Sequence, residues 1–100
     1  MNKKMFESIC TLIENERKRQ DEIHGSNRRY SPSMWLAIMT EEVGEVASEV
    51  QEMYKSRMPV LNYATELIQV AATAVAALEE FFNECSVPGY DELKKTLEDK

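Results

Sequence analysis

Apolar residues recur every three or four positions through most of the chain, and no stretch alternates with the period of two that a half-buried strand requires. The most regular stretch is 34–54, where Leu36, Met39, Val43, Val46, Val50 and Met53 form a stripe along one face of a 3.6-residue helix. A second row with the same spacing runs beside it: Trp35, Ile38, Glu42, Glu45, Glu49 and Glu52. A surface helix ordinarily keeps its charges opposite its core face. Here Glu42, Glu45 and Glu49 climb the flank of that face, and 34–54 contains no Lys or Arg to neutralise them. Like charges at i,i+3 and i,i+4 repel by about a few tenths of a kcal/mol per pair, so a cation is a natural occupant of that flank.

The same periodicity predicts three further helices. Residues 3–22 carry a face of Met5 or Phe6, Ile9, Leu12, Ile13 and Glu16, and continue into a charged run in which Glu14 and Lys18 are i,i+4 partners. Residues 23–33 hold turn formers and predict a loop; Ser31 and Pro32 suit an N-cap and first helical position, so the organising helix can start there. Pro59 closes that helix. The next starts near Pro59 or Asn62 and runs to about Glu84, with a core face of Ala64, Leu67, Ile68, Ala71, Ala74, Val75, Leu78 and Phe82. Alanines between Ala71 and Ala77 favour helix and let a neighbour approach closely. Glu66, Gln69 and Thr73 form a polar row on its flank, repeating the design of 34–54. Val87 to Tyr90 reads as a turn and 91–98 as a short last helix with Leu93 and Leu97 to pack. The expectation is one all-α domain over 1–100, an antiparallel bundle of three main helices plus a short C-terminal helix. Phe81 or Phe82 and the alanine ridge are left for another copy to cover, so a homodimer or dimer of dimers completes it.

Charge narrows the function. The net charge is −6, and it is unevenly placed: 1–33 holds seven basic against five acidic residues, 34–54 none against five, and 55–100 five against eight. That distribution argues against a duplex nucleic-acid binder, which needs a basic face; free nucleotides stay open, since a divalent ion reverses the local sign. Cys10 and Cys85 lack zinc-site or disulfide-framework spacing and read as reduced, partly buried thiols. The first ten residues have no apolar core of signal-peptide length, and Val70 to Leu78 is far shorter than the ~20 residues of a bilayer span. A cytoplasmic protein without a membrane partner is expected.

One constellation carries chemistry: Glu42-x-x-Glu45 on one helix and Glu66-x-x-Gln69 on the next. A short connection makes those helices antiparallel neighbours, so the pairs can face each other. Converging carboxylates suit a hard, oxygen-liking ion such as Mg²⁺ or Mn²⁺, which keeps waters for phosphate to replace. A di-iron bundle needs a Glu-x-x-His on two helices, and the single histidine, His24, lies outside these helices. His24 is otherwise a packed or solvent-facing residue, and the basic run of Arg17, Lys18 and Arg19 a solvated helix end; Arg28, Arg29 and Tyr30 either meet a nucleotide or keep the loop soluble.

The run Trp35-Leu-Ala-Ile-Met-Thr-Glu-Glu-Val-Gly-Glu-Val-Ala47, followed by Glu66-Leu-Ile-Gln-Val-Ala-Ala72, resembles the MazG-like all-α nucleoside triphosphate pyrophosphohydrolase superfamily, whose pattern is EExxE, a spacer, then ExxD. Glu16-Arg-Lys-Arg-Gln20 and the glycine of His24-Gly25 resemble small phage and prophage members. The resemblance spans roughly residues 14–82. It implies hydrolysis of a (d)NTP to the monophosphate and pyrophosphate, with Mg²⁺ held by Glu42, Glu45 and Glu66 and water as nucleophile, deprotonated by a carboxylate. Glu41, about 100° around the helix from Glu42, has a structural part. Looser matches assign Trp35, His24, Arg17 and Arg19, with Thr73 on the polar row, to the substrate. Gln69 stands where the pattern has Asp and offers a neutral oxygen; either the site keeps one Mg²⁺ firmly and a second loosely, or Glu49 moves in as a fourth carboxylate. Two alternatives remain beside the hydrolase: a catalytically degenerate nucleotide-binding or regulatory protein, and a helical oligomerisation module without a small ligand.

Overall fold

A computed structural model describes residues 1–56, 61–84 and 90–100. They form four α-helices: α1 (Lys3–His24), α2 (Pro32–Ser56), α3 (Leu61–Glu84) and α4 (Tyr90–Glu98). Among the described residues there is no strand, and the all-α expectation holds. The expected turn at Val87 to Tyr90 and the stop at Pro59 fall largely outside the described residues.

Local chemistry sets the helix ends. The Asn2 side chain accepts from the Met5 N–H at 2.9 Å and caps α1. At the other end Gly25 takes φ 89°, a conformation that a side chain disfavours, while its N–H bonds the Asp21 carbonyl at 2.8 Å. Ser31 caps α2: its Oγ accepts from the Met34 N–H at 3.2 Å, Pro32 takes the first helical position, and the Trp35 N–H reaches the Ser31 carbonyl at 3.0 Å.

α3 is central: α1 and α2 each pack on it. The C-terminal turns of α1 and α3 meet the start of α2 at one pole, where the Arg17 guanidinium donates to both oxygens of Glu79, at 3.3 and 2.8 Å. Ala72 on α3 is fully buried and Ala76 nearly so, consistent with small side chains admitting close helix approach. Leu61–Asn83 is, by length and composition alone, apolar enough to cross a bilayer; in the described structure it packs against α1 and α2 and buries Thr73.

The buried faces overlap the predicted stripes and extend onto the rows beside them. On α2 the buried residue is Trp35, with Ile38, Glu42 and Glu49 half-buried, whereas Leu36 and Val43 are exposed. On α3 the buried line is Ala72, Thr73 and Ala76, while Leu67, Leu78 and Phe82 stay exposed. Met39, Val46, Val50 and Met53 of the α2 stripe and Ile68, Ala71, Ala74 and Val75 of the α3 stripe are half-buried as well, so the contact takes in both the expected stripes and the polar-flanked rows beside them, centred on the small residues of α3. Cys10 is exposed rather than partly buried; Cys85 lies outside the described residues.

The chain exposes 8060 Å², against roughly 5,800 Å² for a compact monomer of its mass. Its radius of gyration is 15.7 Å, against about 13 Å for a compact 100-residue domain. Trp35, Ala72 and Ala76 are the buried apolar residues among those described.

Replacing Ala72 with leucine is expected to cost about 1–3 kcal/mol through overpacking, seen as a lower melting temperature; the same change at exposed Ala64 should leave the melt almost unmoved.

Candidate functional site

The seam between α2 and α3 brings the acidic rows together. Thr73 on α3, 3% exposed, donates its hydroxyl to the Glu42 carboxyl on α2. Two helical turns from Thr73, Glu66 on α3 hydrogen-bonds Glu45 and feels the charges of Glu49 and Glu42. Two oxygens in this seam, Glu42 Oε1 and Glu66 Oε2, are buried without a hydrogen-bond partner. Unpaired buried carboxylate oxygens are costly, and both groups respond electrostatically. Burial pushes the Glu42 carboxyl above its ordinary 4.5; the Thr73 hydroxyl opposes this, while the neighbouring charges of Glu45, Glu16 and Glu41 add to it. Burial also raises Glu66, reinforced by the hydrogen bond to Glu45 and the charges of Glu45, Glu49 and Glu42.

Sequence reasoning assigned Glu16 only to a helix face. Its carboxylate comes from α1 to border Glu42, and Arg19 holds it through two contacts of 2.7 Å. A helical step alone cannot reveal that an α1 acid joins the α2 row; the signal is the i,i+3 pairing of Glu16 with Arg19 on the side that faces the bundle. Gln69 is half-buried on the same side of α3 as Glu66 and Thr73. Among the described residues, no three His, Cys, Asp or Glu side chains are arranged tightly enough to ligate an ion as they stand. The two orphaned oxygens nevertheless have the chemistry a hard cation requires.

The polar pole is a separate environment. Glu80 accepts from the Trp35 indole N–H and, at 2.6 Å, from the Tyr30 backbone N–H. Trp35 packs against Tyr30 with ring centroids 5.0 Å apart, and the Arg28 guanidinium lies 5.4 Å from the Trp35 ring centroid and 5.8 Å from that of Tyr30. Arg28, Trp35 and Glu80 border a polar cavity of about 120 Å³, and Tyr30, Trp35 and Glu80 border an apolar groove of about 660 Å³ on the other side of Trp35.

The residues expected to meet substrate are thus divided. Thr73 joins the acidic seam, and Trp35 lies two turns from Glu42 at the pole. Arg17, with a side chain 12% exposed, is held by Glu79, Gln20 and Asp21. Its pKa is raised, chiefly by the hydrogen bond to Glu79, so it ties α1 to α3. Arg19 is drawn to Glu16. His24 is exposed at the end of α1 and borders neither the cavity nor the groove. Glu79 and Glu80 are the pole residues that the sequence pattern did not single out, whereas Arg28 and Tyr30, named from the loop, do lie there.

Comparison with family models, characterised proteins and solved structures returns no match.

Because Glu42 and Glu66 are raised in the folded state, the native protein binds more protons than the unfolded chain between 4.5 and the raised values. Their contribution to stability is therefore greatest below 4.5 and is lost as pH rises through that window. Without divalent ions, Glu42→Gln should melt a few degrees higher than the parent at pH 7, and the advantage should vanish near pH 4. Thermal melts across that range check both statements.

Proposed function

We propose that this chain is a Mg²⁺-dependent nucleoside triphosphate pyrophosphohydrolase of MazG-like type, cleaving (d)NTP to (d)NMP and pyrophosphate, with Mn²⁺ able to replace Mg²⁺. The observation that carries the proposal is the pair of buried, unpartnered oxygens, Glu42 Oε1 and Glu66 Oε2, on facing helices amid further carboxylates. A cation there would replace protons and relieve both the burial cost and the like-charge repulsion.

Glu42, Glu45 and Glu66 would hold the ion, with Glu49 or the Gln69 amide oxygen completing the donor set. When bound, Mg²⁺ would neutralise charge on the phosphates and acidify water. The remaining work belongs to the chain. Thr73 fixes the Glu42 carboxyl, and a carboxylate of the row takes the proton of the attacking water. Trp35 and Tyr30 offer an aromatic wall two turns away for the base. Arriving phosphates would compete with Glu16 for Arg19. Arg17 keeps α1 in place while this happens. The natural setting is the cytoplasmic nucleotide pool, with the chain acting as a homodimer or dimer of dimers.

A second reading, a helical assembly module without a small ligand, is favoured by the large exposed apolar surface. The neutral Gln69 favours a nucleotide binder that has lost turnover.

With Mg²⁺ or Mn²⁺ and a panel of (d)NTPs, pyrophosphate release is expected from the parent protein and should fall about 100-fold or more in Glu42→Gln and Glu45→Gln, a loss typical of disturbed metal sites. Absence of release from the parent would overturn the hydrolase. Metal-dependent nucleotide binding would then identify the degenerate binder, and no binding the assembly module.

A further inference from the structure

The polar cavity at the pole holds none of the acids of the seam, yet it lies on the same line of side chains. Along α3, Glu66, Gln69, Thr73, Ala76 and Glu80 step by three or four, so the face that carries the seam continues into the wall of the cavity. Ala76 lies one turn beyond Thr73, about 4.5 Å along the axis, and Trp35 on α2 lies two turns, about 10.5 Å, beyond Glu42. A sugar bridges a separation of that order between phosphates at the seam and a base at the pole.

Volume, charge and hydrogen bonding each restrict the occupant. The cavity holds about 120 Å³, close to the roughly 150 Å³ of an engineered cavity that takes up one benzene, so a single six-membered ring is the largest planar group it admits. Its walls set the guanidinium groups of Arg17, Arg28 and Arg29 against the carboxylates of Asp21, Glu79 and Glu80. That balance favours a neutral polar occupant over a phosphate, which a net positive site would take. Arg28 adds direction. Its side chain is only 13% exposed and its ion-pair partner, Asp21 Oδ1, is 3.9 Å away, beyond hydrogen-bonding distance. The guanidinium lies over the Trp35 and Tyr30 rings and, among the described residues, donates no hydrogen bond. A largely buried fork of coplanar donors, lining a polar cavity and left unused, matches a planar group that carries acceptors on its edge.

We infer that the polar cavity receives the base of a pyrimidine nucleotide, with Arg28 donating to its edge oxygen and the cavity carboxylates accepting from its N–H groups. The inference rests on the hydrolase reading for the phosphate end and supplies the choice of base. A purine brings a second fused ring, for which the cavity has no room. Cytosine presents O2 and N3 acceptors beside an amino donor, and uracil presents carbonyls flanking an N–H, so a wall holding both donors and acceptors serves either. The base meets Trp35 on its polar side, and the apolar groove on the other side takes no part.

Trp35 is the only tryptophan of the chain, so its fluorescence reports on the cavity without metal or turnover. Titration of the full chain with cytidine or uridine should give a saturable change at millimolar concentration, the range expected for so small a ligand, and adenosine or guanosine should give none. An equal response to purine nucleosides overturns the inference, and so does no response to any nucleoside, which would leave a cavity filled by water only. Arg28→Lys keeps the charge and loses the fork; cytidine binding should weaken about tenfold, and parent-like binding overturns the part given to Arg28. With Mg²⁺, kcat/KM for dCTP and dUTP should exceed that for dATP and dGTP by about tenfold or more. Equal values overturn the base selection and leave the hydrolase standing. No release from any triphosphate, with the cytidine response intact, overturns the hydrolase and leaves the pyrimidine pocket standing.

Discussion

The constraint on which this molecule depends is a polar seam buried between its two longest helices. Trp35 meets Glu80, Glu42 meets Thr73, and Glu66 meets Glu45 and Glu49 along the contact of α2 with α3. Hydrophobic contact is the usual glue of two helices, and desolvating carboxylates costs several kcal/mol per charge unless they are compensated. This seam spends helix packing on groups that do not favour it. Two of its oxygens remain uncompensated, and the corresponding carboxyls hold their protons to higher pH.

Taking the polar-flanked rows into the contact leaves part of each apolar stripe outside it. Leu36 and Val43 on α2, Leu67 and Leu78 on α3, and Met5, Phe6 and Leu12 on α1 all face solvent in the single chain. The acidic interior and the apolar exterior are thus two aspects of one helix rotation. Alanine makes that rotation feasible: Ala72 and Ala76 let α3 sit close to its neighbours on the side where Glu66, Gln69 and Thr73 also point, so the polar row is carried into the contact with them. The Arg17 to Glu79 fork and the Glu80 acceptor fasten the far pole, where chain reversal between α1 and α2 brings three helix ends together.

Much of the architecture is legible in the sequence because its signals are local. Asn2, Gly25, Ser31 and Pro32 mark helix ends through their own hydrogen bonds and backbone preferences, and the three-and-four spacing marks the helices between them. Helix rotation was not legible. Periodicity assigns the Leu36 and Leu67 stripes to the core; at least half of each stripe does reach the contact, but its centre is displaced toward Ala72, Thr73 and Ala76 by side-chain volume, which a hydropathy pattern does not weigh. The pairing of Glu42 with Thr73 follows once both rows are known to flank the same contact. The entry of Glu16 from α1 does not, because it depends on the placement of a third helix. Arg17 looks like a free cation in a charged run, and only the tertiary neighbour Glu79 shows that it is a tie.

The seam also has a period. Trp35, Glu42 and Glu49 are seven residues apart on α2, as are their counterparts Glu80, Thr73 and Glu66 on α3, which runs the other way. Sliding one helix past the other by two turns would leave the apolar contacts broadly interchangeable. It would not leave the polar ones so: Glu42 would face Glu80 in one direction and Glu66 in the other, in either case without its hydroxyl donor. Like the lone buried polar residue that fixes alignment in a coiled coil, the Thr73 to Glu42 bond thereby proofreads the alignment of the two helices and rejects both misaligned packings.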